Sequence, residues 1–171
     1  MKKIIIFIMM ICLWGCTQSK DKVQQESRQD LPEKLMEQIK TTMPIAVYDE
    51  LKNKGVYTQV DNTHIIGNDA QNPTLRLDFT YKDNQLIQYV SKEYGFVDDM
   101  NEKRINEDEA KSLTKLFAKT FLERDVVLKK TTDMSGYDTG DYITFEDQNH
   151  NLYLVQLNKN MVIKMNDHSQ L

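Results

Sequence analysis

Cysteine is nearly absent: the 171 residues hold two, Cys12 and Cys16, both close to the amino terminus. Beyond residue 16 there is no thiol to form a disulfide, attack a substrate or bind zinc. Histidine is almost as sparse, with His64, His150 and His168 the three present, and no two of them stand at the spacing that places paired ligands on one helix face. No metal and no cofactor is therefore expected. Six scattered glycines cannot build a phosphate-cradling loop, and no serine lies in a Gly-x-Ser-x-Gly setting, so no catalytic motif appears and an enzyme is not expected. Basic residues number 22 against 26 acidic, a net charge of −4. Such a chain is repelled by phosphate, which excludes nucleic acid as a partner. Nor is there a long apolar run: the most extended, Ile4 to Trp14, falls far short of the roughly 20 residues needed to span a bilayer.

That short run nevertheless has a recognisable form. Lys2 and Lys3 precede it and Gly15-Cys16 closes it, the charged, apolar and small-residue parts of an export signal. The segment Leu13-Trp14-Gly15-Cys16 resembles the lipobox of bacterial lipoproteins, although Trp14 stands where such boxes carry a small or β-branched residue. The resemblance implies that residues 1–15 are a signal peptide and that Cys16 receives a thioether-linked diacylglyceryl group and becomes the first residue of the mature chain. Cleavage by ordinary signal peptidase, or a short uncleaved anchor, are the alternatives; the position of Cys16, where the apolar run stops, favours lipidation. Two acyl chains hold a protein on a membrane without help from a basic patch, because each buried methylene contributes about 0.8 kcal/mol. The expected location is the extracytoplasmic face of the cell membrane.

Residues 16–30 read as the lipidated cysteine and a tether. Thr17 to Asp30 contains Val23 as its one large apolar residue, too little to offset the entropy of ordering. Its typical span is about 20 Å, which keeps a folded body clear of the lipid headgroups but beside the membrane.

Folded structure is expected from Leu31 onward. Asp30, Pro32 and Glu33 form a helix-start signature, with Asp30 offering a capping oxygen. Leu31, Leu35, Ile39, Met43, Val47 and Leu51 then recur every four residues and lay one apolar stripe along a helix, which Pro44 must break near Thr42-Met43 and which should stop before Gly55. From Val56 the period becomes two. Strands are expected at Val56–Val60, Thr63–Ile66, Thr74–Tyr81 and Gln85–Ser91, the last two joined by a tight turn, with Leu75, Leu77, Phe79 and Tyr81 on one face. The preceding helix is the nearest cover for that face.

The same order returns between 102 and 171. Asn106 and Glu109 form a capping pair, and Ala110, Leu113, Leu116, Phe117 and Phe121 give a helical face ending near Arg124. Strands follow at Val126–Lys130, Tyr142–Glu146, Leu152–Leu157 and Met161–Met165. Phe79-Thr80-Tyr81-Lys82-Asp83 is faintly echoed by Ile143-Thr144-Phe145-Glu146-Asp147. The fold class is thus α+β, a helix packed on an antiparallel sheet, carried twice in tandem over 31–101 and 102–171. Without disulfides the two halves must be held by burial, which argues that they pack as one unit.

A helix across an antiparallel meander, with stretches such as Asp141-Tyr142-Ile143-Thr144-Phe145 and Leu152-Tyr153-Leu154-Val155, resembles the cystatin-like and PepSY-like small lipoproteins of Gram-positive bacteria. The resemblance implies a non-catalytic module, with peptidase regulation among the associated roles. The Gln-Val-Val-Ala-Gly type inhibitory loop of true cystatins is absent.

Three further groups have compositions that sites also use. Asp147, Asn149 and Asn151 alternate like calcium ligands, but Leu152 and Asn158 occupy the places that need glycine and glutamate, so a hairpin turn is expected. Asp98, Asp99, Glu102, Glu107, Asp108 and Glu109 are read as a solvated linker and helix cap. Tyr81, Tyr89, Tyr94, Phe96, Tyr142, Phe145 and Tyr153 are read as sheet and core residues rather than a groove. The unpatterned Thr131–Gly140 is the expected contact loop. The function expected is a membrane-anchored, non-enzymatic binding or regulatory module that meets a protein or peptide of the cell envelope, the alternative being an inhibitor or immunity-type protein against an exported peptidase or toxin.

Overall fold

A computed structural model describes residues 30–93, 103–132 and 140–166. Helices α1 (Glu33–Thr42) and α2 (Ile45–Lys54) come first, separated at Met43-Pro44 as the missing proline N–H demands. The apolar stripe runs through the break, with Leu35, Ile39, Met43, Val47 and Leu51 all buried. The helix start departs from expectation. Pro32, not Asp30, is the N-cap of α1, no side chain caps it, and the Pro32 carbonyl accepts the Met36 amide at 3.0 Å. A proline at this point fixes the chain direction unaided, and Asp30 is left exposed.

Four antiparallel strands follow, β1 (Val56–Val60), β2 (Thr63–Gly67), β3 (Leu75–Lys82) and β4 (Gln85–Glu93). The turn between β3 and β4 carries Asp83 and Asn84 at φ 50° and 63°, the left-handed pair that a two-residue hairpin requires. Leu75, Leu77 and Phe79 are fully buried on one face. Tyr81 is only half-buried, because a register shift between Thr80 and Tyr81 breaks the alternation. On the opposite face Asp78 pairs with Arg76 at 2.7 Å and Lys92 at 3.2 Å.

Helix α3 (Glu107–Phe121) opens on the expected capping box, Asn106 accepting from the Asp108 and Glu109 amides and Glu109 returning to the Asn106 amide. It ends at Phe121, and Leu116 lies on its exposed side, outside the apolar face assigned to it. Strands β5 (Leu128–Thr131), β6 (Tyr142–Asp147), β7 (Leu152–Gln156) and β8 (Met161–Asn166) follow. β5 starts two residues later than the pattern suggests. The Val127 amide bonds to the Gln148 side chain at 2.7 Å instead of a neighbouring strand, while Val126 turns into the core.

All eight strands form one antiparallel sheet in the order β1-β2-β3-β4-β8-β7-β6-β5. Two four-strand meanders meet at β4 and β8, through Gln88 opposite Asn166, Tyr89 opposite Met165 and Val90 opposite Lys164. Helix α3 packs against β6, β7, β8 and α1, and its aromatic rings cross the seam: Phe117 meets Tyr89 at 5.1 Å and Phe121 stacks on Phe79 at 5.2 Å. One continuous apolar cluster therefore draws on both halves. The echoed pentapeptides occupy unlike places, the third strand of one meander and the second of the other, so they mark similar strand ends and not equivalent positions.

Candidate functional site

The short connection from β6 to β7 is organised by a buried carboxylate. Asp147, 4% exposed, accepts the backbone amides of Asn149 and Asn151 at 2.8 and 3.0 Å on Oδ1. Its Oδ2 accepts Asn151 Nδ2 at 2.7 Å and the Tyr153 hydroxyl at 2.9 Å. Both oxygens are thus engaged by the turn itself, which His150 completes at φ 64°. The alternating Asp-Asn-Asn pattern serves the hairpin, as its failure to match a calcium loop suggested. Burial, followed by the Asp147 charge, pushes the Tyr153 phenol well above its usual range. Arg124 brings Nη2 to 3.9 Å from Oδ2, and its buried Nε and Nη2 make no hydrogen bond among the described residues.

Arg124 also lines an open groove of about 920 Å³. The start of α1, the β1–β2 and β3–β4 hairpins and the end of α3 supply its walls. Gln38, Gln59, Asn62, Asn84 and Gln85 contribute amide side chains, and the charged lining residues are of both signs, Lys34 and Arg124 with Asp83 and Glu123. Gln38 ties α1 to α3 by donating to the Thr120 carbonyl at 2.9 Å. Lys34 and Glu123 pair at 3.4 Å, both largely exposed, so this contact contributes little and yields easily to a ligand.

His64 stands in the groove with Nδ1 2.7 Å from the Tyr57 hydroxyl and its ring edge-on to Tyr81 at 5.0 Å. Burial holds its pKa below the usual value, so at neutral pH it is an uncharged donor and acceptor. Burial, with the Tyr57 phenol beside it, raises Tyr81 to about 12. The groove offers neutral hydrogen-bonding groups of both polarities without a net charge to select its ligand.

Cys16, the tether and the leader lie outside the described residues, as do Tyr94, Phe96, Asp98, Asp99, Glu102 and His168. Of the Thr131–Gly140 segment, 133–139 lies outside them too. Its exit is described: Arg104 grips both the Gly140 carbonyl and the Asp141 carboxylate. Glu107, Asp108 and Glu109 sit in the first turn of α3, where Glu107 pairs with Lys111 at 2.9 Å and Lys130 at 3.3 Å. Those two lysines hold the Glu107 carboxyl below its ordinary range. No group of three or more metal-ligating side chains occurs among the described residues. Tyr89, Phe145 and Tyr153 are fully buried, in keeping with their assignment to the core. The pattern pointed to none of the groove-lining amides, because three separate segments, α1 and the two hairpins, bring them together and none carries a motif.

No family model, curated protein or solved structure matches the chain. Among the described residues, no helix is long and apolar enough to cross a membrane.

Proposed function

We propose that this chain is a lipid-anchored, non-enzymatic binding module on the extracytoplasmic face of a bacterial cell membrane, which holds a stretch of a neighbouring envelope polypeptide in its amide-lined groove. The observation that carries the anchoring is the order Lys2-Lys3, Ile4 to Trp14, Gly15-Cys16, followed by a polar stretch and a folded body that begins at Glu33. The groove supports the binding role, since amide side chains match the alternating donors and acceptors of a peptide backbone and its mixed charges favour no single sign. On this reading the two helix-and-meander halves are diverged copies of one unit of the cystatin-like or PepSY-like kind; their common element order supports this.

Replacement of Cys16 by serine tests the anchor. Loss of palmitate labelling and release of the protein from membranes are expected; unchanged membrane retention of an unlabelled chain refutes it. A photo-crosslinker at Gln38 tests the groove in intact cells. Capture of envelope polypeptides supports a binding module, a single tightly held exported peptidase or toxin replaces it with an inhibitor, and no capture above that of the same probe at exposed Leu116 refutes a role for the groove.

A further inference from the structure

The two edges of the sheet are built to different rules. Edge strand β5 is Leu-Lys-Lys-Thr, and the exposed Lys129 and Lys130 guard it against stray pairing. Edge strand β1 is Val-Tyr-Thr-Gln-Val, with no charge, no proline and no bulge, and it leaves Val60 52% exposed. Among the described residues β1 pairs on one side only, with β2.

The direction of its backbone follows from the hairpin. β1 and β2 are joined by Asp61-Asn62, with Val60 opposite Thr63. The closing pair of a two-residue hairpin exchanges both backbone hydrogen bonds, so Val60, Thr58 and Val56 bond inward to β2. The amides and carbonyls of Tyr57 and Gln59 consequently point to the open edge.

The strand also reads almost alike in both directions about its centre, valine at each end and threonine in the middle. We propose that two copies of this chain associate through β1, antiparallel, about a two-fold axis at Thr58. Val56 then faces Val60 of the second copy, Tyr57 faces Gln59, and Thr58 faces Thr58. The Tyr57–Gln59 pairs fall where outward amides meet outward carbonyls, and Thr58–Thr58 falls at a non-bonded pair, as the hairpin requires. A shift of one residue sets outward groups against inward ones, and a shift of two leaves only one end of each strand paired, residues 56–58 or 58–60. Such an interface is isologous, so it closes on itself at a dimer. It is smaller than the roughly 1,200 Å² of stable complexes and therefore weak in free solution. Anchoring, if it holds as proposed above, raises the local concentration of partners.

The test is arranged to be independent of lipidation. The full chain carrying Cys12→Ser and Cys16→Ser is solubilised in mild detergent, Thr58→Cys is added, and the sample is oxidised. A non-bonded antiparallel pair places its Cα atoms about 4.5 Å apart, within disulfide reach. Covalent dimer is expected for Thr58→Cys and not for Lys129→Cys on the other edge. Adding Val60→Lys to the Thr58→Cys protein is expected to cut the dimer yield roughly tenfold, as a charged edge does. Sedimentation of the chain with an unaltered β1, against Val60→Lys alone, covers the case in which Thr58→Cys perturbs the strand; concentration-dependent dimer only for the former is expected. Equal yields at residues 58 and 129, or dimerisation insensitive to Val60→Lys, overturn the proposal.

Discussion

Removing the Asp147 carboxylate is the sharpest test of what holds the second meander. Asp147→Ala deletes the acceptor of four hydrogen bonds. Two of the donors, Asn151 Nδ2 and the Tyr153 hydroxyl, belong to residues with no exposed surface, so water does not replace the lost acceptor without rearrangement. A buried donor left unpaired costs about 1–3 kcal/mol, and Arg124 loses its nearest anion as well, so we expect a loss of about 3–5 kcal/mol. For a domain of this size that corresponds to a fall of about 10–15 °C in melting temperature. Tyr153→Phe removes one donor and leaves the carboxylate three, so its cost should be about 1–2 kcal/mol. The double variant should be less damaging than the sum of the two by about 1 kcal/mol, because the tyrosine hydroxyl is no longer stranded. Urea unfolding followed by circular dichroism measures all three. An Asp147→Ala chain within about 0.5 kcal/mol of the unaltered protein, the range of ordinary surface changes, would refute the reasoning.

Two other outcomes follow from the geometry. A fragment ending at residue 101 lacks β8 and the Phe117 and Phe121 rings that cover Tyr89 and Phe79, so it should melt without a sharp transition; a cooperative calorimetric peak would show that the first half stands alone. His64 has a depressed pKa in the folded state and its usual 6.5 when unfolded, so its contribution is complete above pH 6.5 and diminishes as pH falls through that value toward the folded pKa. His64→Gln should flatten the stability profile between pH 6.5 and the onset of carboxylate titration, whereas an unaltered slope would assign the effect elsewhere.

Local structure was largely readable from the pattern of residues, and global arrangement was not. Period two located the strands to within one or two residues, Pro44 marked the helix break, and Asn106 with Glu109 announced a capping box, because each is decided within a few neighbours. The Val126–Val127 error has a long-range cause: Gln148, twenty-one residues onward, takes the Val127 amide. The β4–β8 seam was beyond reach for the same reason, since alternation says which face a strand buries but not which strand lies beside it. The turn chemistry of Asp147 was legible, yet its burial was not, for this depends on Tyr153 and Arg124 arriving from other elements. The groove was legible only through Tyr81 and His64, which were read as sheet residues; its walls are a meeting of four segments, and its amide side chains look like any solvated residues.

The seam between β4 and β8 also sets a timetable. β8 follows every other described element, yet β4 depends on it for its second neighbour. While a ribosome is still extending the polypeptide, the amino-terminal meander waits with one flank unsatisfied, and the helix whose rings seal it has yet to emerge. A nascent chain of this design stays pliable until its last strand is made. On the export reading proposed above, such a chain can still be threaded through a narrow pore while its synthesis continues.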